Sequence, residues 1–254
     1  MQKTICHRAI FVSDLHLGSA YAQPAKIEQF LKSVDCDYLY LVGDIIDFWA
    51  LDSSVRYFDQ ATLNVIRALL TKTKNGTTVV YLPGNHDEIV RDMLLYIQDT
   101  YAWFGGITVL NETTHITSSN LHFKVLHGDQ FDSEVSNMRW LNRLGDMGYS
   151  LLLSLNKPLQ RMRKFLGYRS HWSLSQAIKR QVKEAALFTN TYHQLVIDHG
   201  RKYDYQGIIC GHIHSPEVLV QPDGFVYGNC GDWVESFSYL YEDAQGHIQL
   251  GYFK

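Results

Sequence analysis

The chain has 254 residues, 46% hydrophobic and 19% charged, with a formal net charge of -3 and a pI near 6.4. That composition buries a sizeable core in one large domain and excludes a disordered chain, while the charge balance supplies no overall pull toward nucleic acid or anionic lipid. Four scattered cysteines, Cys6, Cys36, Cys210 and Cys230, form no CxxC pair and read as buried thiols in a reducing compartment, not as a disulfide scaffold.

In chain order, the opening MQKTICHRAIFV lacks the long apolar stretch and cleavage site of a signal peptide, so the cytoplasm is the expected location. RAIFVSD, DYLYLVGD and TTVVYLPGNHD then read as strands, alternating with the helix-like PAKIEQFLKSV, ATLNVIRALLTKT and EIVRDMLLYIQ. This alternation predicts an α/β layered fold, whose ligand crevice lies outside the carboxyl ends of the strands. Those ends carry Asp14, Asp44 and Asn85.

From 134 to about 200 the pattern turns mostly helical, and this stretch is expected to be an insertion or lid within a single domain spanning 1–254. Its YSLLLSL is too short to cross a bilayer. YQGIICGHIH, EVLVQP, GFVYGNC, FSYLYED and HIQLGYF return to strands, punctuated by Pro-Asp-Gly and Ala-Gln-Gly turns.

Five segments share one layout, an apolar run ending in ligand-type residues: FVSDLH (Asp14, His16), LVGDIID (Asp44, Asp47), YLPGNHD (Asn85, His86), VLHGDQFD (His127) and IICGHIH (His212, His214). Alone, such an Asp is a helix cap and such a His a satisfied core residue. Together they offer carboxylate, imidazole and carboxamide groups, which suit Mn, Fe, Zn or Mg, and no thiolate. Glycines at 43, 84, 128 and 211 permit sharp turns and close backbone approach beside them.

The ordered blocks DLH, GDIID, GNHD, HGD and GHIH resemble those of the calcineurin-like metallophosphoesterases. The resemblance implies a four-layer αββα sandwich with two divalent metal ions, manganese foremost. By matching blocks, Asp14, His16 and His214 hold one ion, Asn85, His127 and His212 the other, and Asp44 bridges them. Asp47 orients His86, and that pair serves as general acid or as a stabiliser of transition-state charge; the alternative for Asp47 is a cap on the segment that follows. The implied reaction is in-line attack on phosphorus by a metal-bridging hydroxide, which leaves Ser13 and Cys210 as packing residues.

YLVGDIIDFW, YLPGNHDE, HGDQFD, ICGHIHSPE and YGNCGDWVES are further similar to the branch containing the UDP-2,3-diacylglucosamine diphosphatases of lipid A synthesis. That branch implies hydrolysis of the substrate's diphosphate to UMP and a diacylated sugar phosphate. The chain departs from it at His86, where the branch commonly carries Arg. This departure keeps a broader phosphodiesterase, acting on other nucleotides or on nucleic acid, as the second reading, and a non-catalytic scaffold as a third. Between 134 and 184, ten Lys or Arg stand against three acids, interleaved with Trp140, Phe165, Tyr168 and Trp172. Such a basic amphipathic element suits peripheral contact with an anionic inner membrane or a groove for acyl chains; the plainer reading is a helix face packed on the body.

Overall fold

The computed structural model describes residues 5–53, 59–96, 105–133 and 174–254. Eleven strands are present among them: β1 Ile5–Val12, β2 Val34–Val42, β3 Thr78–Leu82, β4 Ile107–Val109, β5 Glu112–Ile116, β6 His122–Leu126, β7 Gly207–Cys210, β8 Glu217–Val220, β9 Val226–Asn229, β10 Ser238–Glu242 and β11 Ile248–Tyr252. The helices are α1 Pro24–Ser33, α2 Phe48–Ser53, α3 Gln60–Lys74, α4 Glu88–Tyr96 and α5 Leu174–Lys202, with a 3-10 turn at Asp129–Ser133.

Six strands form one sheet in the order β11-β10-β1-β2-β3-β4, and five form the other in the order β5-β6-β7-β9-β8. In the first, β1 to β4 run parallel, with registers such as Val12↔Leu41 and Val42↔Leu82. In the second, β6, β7 and β9 are parallel. Parallel neighbours place their carboxyl ends together, so the exits of β1, β2 and β3 form one rim, and those of β6 and β7 another.

The central strands are apolar on both faces because both faces are covered. Ala9, Phe11, Tyr40, Val42, Val80 and Leu82 point toward the second sheet and pack with Phe123, Val125 and Ile209. Their alternates Ile10, Val12, Leu39, Leu41 and Val79 meet the buried stripes of α1 (Ile27, Phe30, Leu31) and α3 (Val65, Leu69). Each large aliphatic side chain so buried contributes roughly 1.5–3 kcal/mol. Pro24 opens α1, where its missing N–H costs nothing, and Asp59 caps α3 by accepting the Thr62 N–H. The last turns of α5 lie on the outer face of the second sheet, where Gly200 abuts Phe225 and Ile208. The layers are therefore helix, sheet, sheet, helix.

The chain divides into two compact units, Met1–Asp129 with Val196–Lys254, and Gln130–Leu195. Within the second, Phe131 and Phe188 both set their rings against Tyr192, at centroid separations of 6.2 and 6.3 Å. Most of the basic stretch assigned above to membrane or acyl contact lies at 134–173, outside the described residues. Among the described residues, no helix is long and apolar enough to cross a membrane.

One cysteine departs from expectation: Cys36, Cys210 and Cys230 are buried, but Cys6 is exposed. It sits at the start of β1, which pairs there with β2 alone because the β10 partners begin at Ile10.

Candidate metal centre

Just beyond Val12 the chain leaves the sheet but stays tied to the neighbouring exit. Asp14 N–H donates to Gly43 O (3.0 Å), His16 N–H to Asp44 O (2.9 Å) and Asp47 N–H to Leu17 O (2.9 Å). Two loops thus run side by side past the ends of β1 and β2. The third exit joins them where His86 N–H donates to Asp44 Oδ1 at 2.8 Å. From the second sheet, Gly211 N–H donates to His127 O (3.0 Å), and His212 N–H reaches Asp14 Oδ2 at 3.0 Å. Five sequence-distant segments converge through backbone donors.

The backbone of these loops is unusual. Among the described residues, eight non-glycine residues have positive φ, and five of them are Asp14 (55°), His16 (45°), Asp44 (53°), His212 (70°) and His214 (51°). Each costs roughly 1–2 kcal/mol relative to an ordinary conformation. Such a concentration in five of seven candidate ligands marks a site where packing overrides local preference. Close approach is built in as well. A methyl group on Gly43 would overlap the His127 ring, one on Gly84 would overlap Asp44 and His127, and one on Gly211 would overlap Ser13 and Asp14.

The side chains gather into overlapping triads whose ligand atoms all lie within 4.8 Å of one another: Asp14 with His16 and His214, Asp44 with His127 and His212, and His16 with Asp44 and His86. His214 Nε2 is 3.1 Å from Asp14 Oδ1 and 3.4 Å from His16 Nε2. His127 Nε2 is 3.5 Å from Asp44 Oδ2. The first triad gathers the three residues expected around one ion, and the second brings His127 and His212 of the other expected set together with Asp44. Asn85 stands on the same loop as His86, and its Oδ1 is buried without a hydrogen-bond partner. His127 Nε2 is likewise buried and unpartnered.

Those orphaned atoms test whether a cation fits. Buried polar atoms are normally paired, and an acceptor left open beside carboxylates has its natural partner in a positive ion. The tautomers agree. His127 Nδ1–H donates to Val42 O at 2.9 Å, and His16 Nδ1–H donates to Asp47 Oδ2 at 3.1 Å, so each ring turns an Nε2 lone pair toward the centre. Imidazole, carboxylate and carboxamide together suit a divalent metal ion.

Asp47 does three things at once. One oxygen holds His16; the other lies 3.1 Å from His86 Nδ1 and accepts the Ala50 N–H at 2.9 Å, which caps α2. The cap weighed for it is present, the same oxygen comes close to His86, and its hold on His16 was not foreseen. The His86 ring also lies against the half-exposed Trp49, with centroids 4.1 Å apart.

Electrostatics follow the geometry. Burial alone would raise Asp14, but the imidazoles of His214, His127 and His16 outweigh it and hold the carboxyl well below its usual range. Asp44 is lowered in the same way, chiefly by His127, and Asp47 by His16 and His86. Burial would depress His127 and His214, yet Asp44 lifts the first to about 10 and Asp14 the second to about 9. Protons bound there compete with any cation for the same lone pairs, so metal binding releases them.

Ser13 and Cys210 sit as packing residues. Ser13 Oγ donates to Gly231 O at 2.9 Å, and the buried Cys210 thiol faces Tyr227 and Asn229. Asn229 braces the last ligand loop by donating to Gly211 O at 2.8 Å. Two features were given no role from the sequence. Arg91 makes a bidentate pair with Asp129 (2.9 and 3.0 Å) and donates to Pro83 O, fastening the Asn85 and His127 loops together. Asp87, fourth residue of GNHD, is wholly buried behind Asp44.

Comparison with known proteins matches residues 7–216 to the family described as calcineurin-like phosphoesterase. Among curated relatives, a UDP-2,3-diacylglucosamine hydrolase of Aromatoleum aromaticum is 28% identical, with 94% of each chain covered. One of Photorhabdus laumondii is also 28% identical, over 88% of this chain and 90% of the relative. Among solved structures, a phosphopantetheinyl hydrolase of Mycobacterium tuberculosis aligns over 91% of each chain at 14% identity and a TM-score of 0.43.

Proposed function

The chain belongs to the calcineurin-like phosphoesterase family and is a phosphoester-hydrolysing enzyme, and from that premise we propose that it cleaves the diphosphate of UDP-2,3-diacylglucosamine or a similar acylated UDP-sugar to UMP and a sugar phosphate. The observation that carries the reading is the pair of triads around Asp14 and Asp44, five of whose six residues sit in left-handed backbone while the sixth, His127, has a buried, unpartnered Nε2. Relatives spanning nearly the whole chain point to the substrate.

In this reading Asp14, His16 and His214 hold one divalent ion and Asn85, His127 and His212 the second, with Asp44 shared. The ions, manganese foremost, supply Lewis acidity and lower the pKa of bound water. Asp47 fixes the tautomer of His16 and stands behind His86, whose Nε2 faces the centre 4.0 Å from Asp44 Oδ2. His86 then donates a proton to the departing oxygen, or a hydrogen bond to the phosphoryl group. Its pKa is raised, since Asp47 and Asp44 outweigh its burial, which favours the protonated ring. Contact of the basic 134–184 segment with the cytoplasmic face of the membrane belongs to the same proposal and rests on sequence alone.

The test is direct. Manganese-loaded protein incubated with UDP-2,3-diacylglucosamine should release UMP, and no release would remove this substrate. His86 favours the second reading, a broader phosphodiesterase; rapid turnover of bis-p-nitrophenyl phosphate, with indifference to acyl chains, would select it.

A further inference from the structure

Asp87 occupies the position immediately before α4, where an Asp ordinarily caps the helix with its carboxylate. It does not do so here. Only its backbone carbonyl serves the helix, accepting Val90 N–H at 2.9 Å. The carboxylate turns the other way, fully buried, into the space beneath the β2 and β3 exits. There Oδ1 accepts the N–H groups of Asp44 (3.3 Å) and Gly84, while Oδ2 accepts Ile45 N–H (2.8 Å) and the Tyr81 hydroxyl.

These donors belong to the two loops that define the orientation of Asp44. That residue has a φ of 53°, which its own chain does not favour, and its backbone N–H is fixed by Asp87. One of its oxygens is pinned by the N–H of His86, the residue just before Asp87, leaving Oδ2 turned to His127. The Asp87 carboxylate has forgone a helix cap to accept these donors.

We propose that Asp87 is a positioning residue for the shared carboxylate: it locks the Asp44 backbone in its left-handed conformation. The inference rests on the two-metal reading above. Asp87→Asn keeps the shape but turns an NH2 donor against N–H or O–H donors. Tyr81→Phe deletes one donor and leaves the carboxylate in place. Val65→Ala, on α3 in the helix-side core, supplies destabilisation from a residue outside the ligand-bearing segments.

Mn2+ titrated calorimetrically into the metal-stripped full-length chain, with the spin-coupled manganese pair followed by electron paramagnetic resonance, separates the outcomes. Wild type should take up two equivalents; Asp87→Asn, still folding cooperatively, should bind at least one of them roughly 10- to 100-fold more weakly and lose the coupled spectrum. Tyr81→Phe should weaken binding in the same direction by less, and Val65→Ala should lower the melting temperature with affinity intact. Wild-type affinity in Asp87→Asn, or an equal loss in Val65→Ala, would overturn the role. Where Asp87→Asn does not fold, Tyr81→Phe decides, and unchanged affinity there counts against the proposal. Failure of the wild type to bind two ions would instead sink the metal reading itself, before any variant is compared.

Discussion

The two ends of the sandwich use the same residue types for opposite ends. At the strand exits, histidines and carboxylates sit in left-handed backbone with buried atoms unpartnered. A few residues back, on β1, β2, β5 and β10, Arg8, Tyr40, His115 and Glu242 join the two sheets in regular β structure. His115 lies 2.8 Å from Glu242 and 3.0 Å from the Tyr40 hydroxyl; Glu242 also accepts from Arg8 at 2.8 Å and Ser118 N–H at 2.7 Å. One cluster is closed on itself and the other is held open. Satisfaction of the polar atoms, not residue identity, separates a structural network from a ligand-binding one.

The largest expected effect lies at the open end. His86→Ala should lower kcat by roughly 10²- to 10⁴-fold, about 3 to 5 kcal/mol of barrier, while the denaturation midpoint stays close to wild type. An unchanged kcat would end its role as acid or charge stabiliser; a large loss of stability would place it with the structural histidines. Gly84→Ala comes next. Its methyl would overlap the Asp44 carboxylate and the His127 ring, so the loops must shift at a cost of roughly 1–3 kcal/mol. A Mn2+ titration should show affinity down about tenfold or more. Wild-type affinity would mean that the two exits are not packed as closely as described.

The difference between the ends also explains what the sequence disclosed. The strand exits were legible because doubly covered parallel strands are apolar runs, and an Asp or His that breaks such a run is conspicuous. The Asp14, Asp44 and Asn85 exits stood out in this way. Asp47 was legible as orienting His86 but not as holding His16, because the path of the β1 exit loop brings His16 across. Asp87 was hidden by its resemblance to a helix cap. The closed network was invisible for another reason: His115 and Glu242 are 127 positions apart, on short strands with no pattern linking them. The short α2 and β4 escaped too, and so did β5, whose ETTHI offers no apolar run.

At the closed end, Glu242→Ala should leave His115 Nε2 and the Ser118 N–H without their acceptor and Arg8 with Ile116 O alone. The expected loss is roughly 1–3 kcal/mol of stability in urea denaturation, the penalty for buried groups stripped of a partner. Metal affinity should be unaffected. A fall in Mn2+ binding comparable with that of Gly84→Ala would show that the two ends are coupled and would break the comparison.

The smallest effect, and the one that sharpens the contrast most, is in pH. His115 has its pKa pushed below the ordinary 6.5, because burial outweighs the opposing pull of Glu242. The unfolded chain therefore binds the His115 proton more readily than the folded one. Stability from this group is complete above the unfolded pKa and declines as pH falls below it. In the metal-free protein His127 and His214 have the opposite sign: raised to about 10 and about 9, they favour the folded state at low pH and lose that contribution as pH rises. Denaturation of wild type and His115→Gln between about pH 5 and 7.5 isolates the first group, and the difference between the curves should shrink on acidification. A difference that grows toward low pH would mean that His115 is held charged, and that the closed network is an ion pair around an imidazolium.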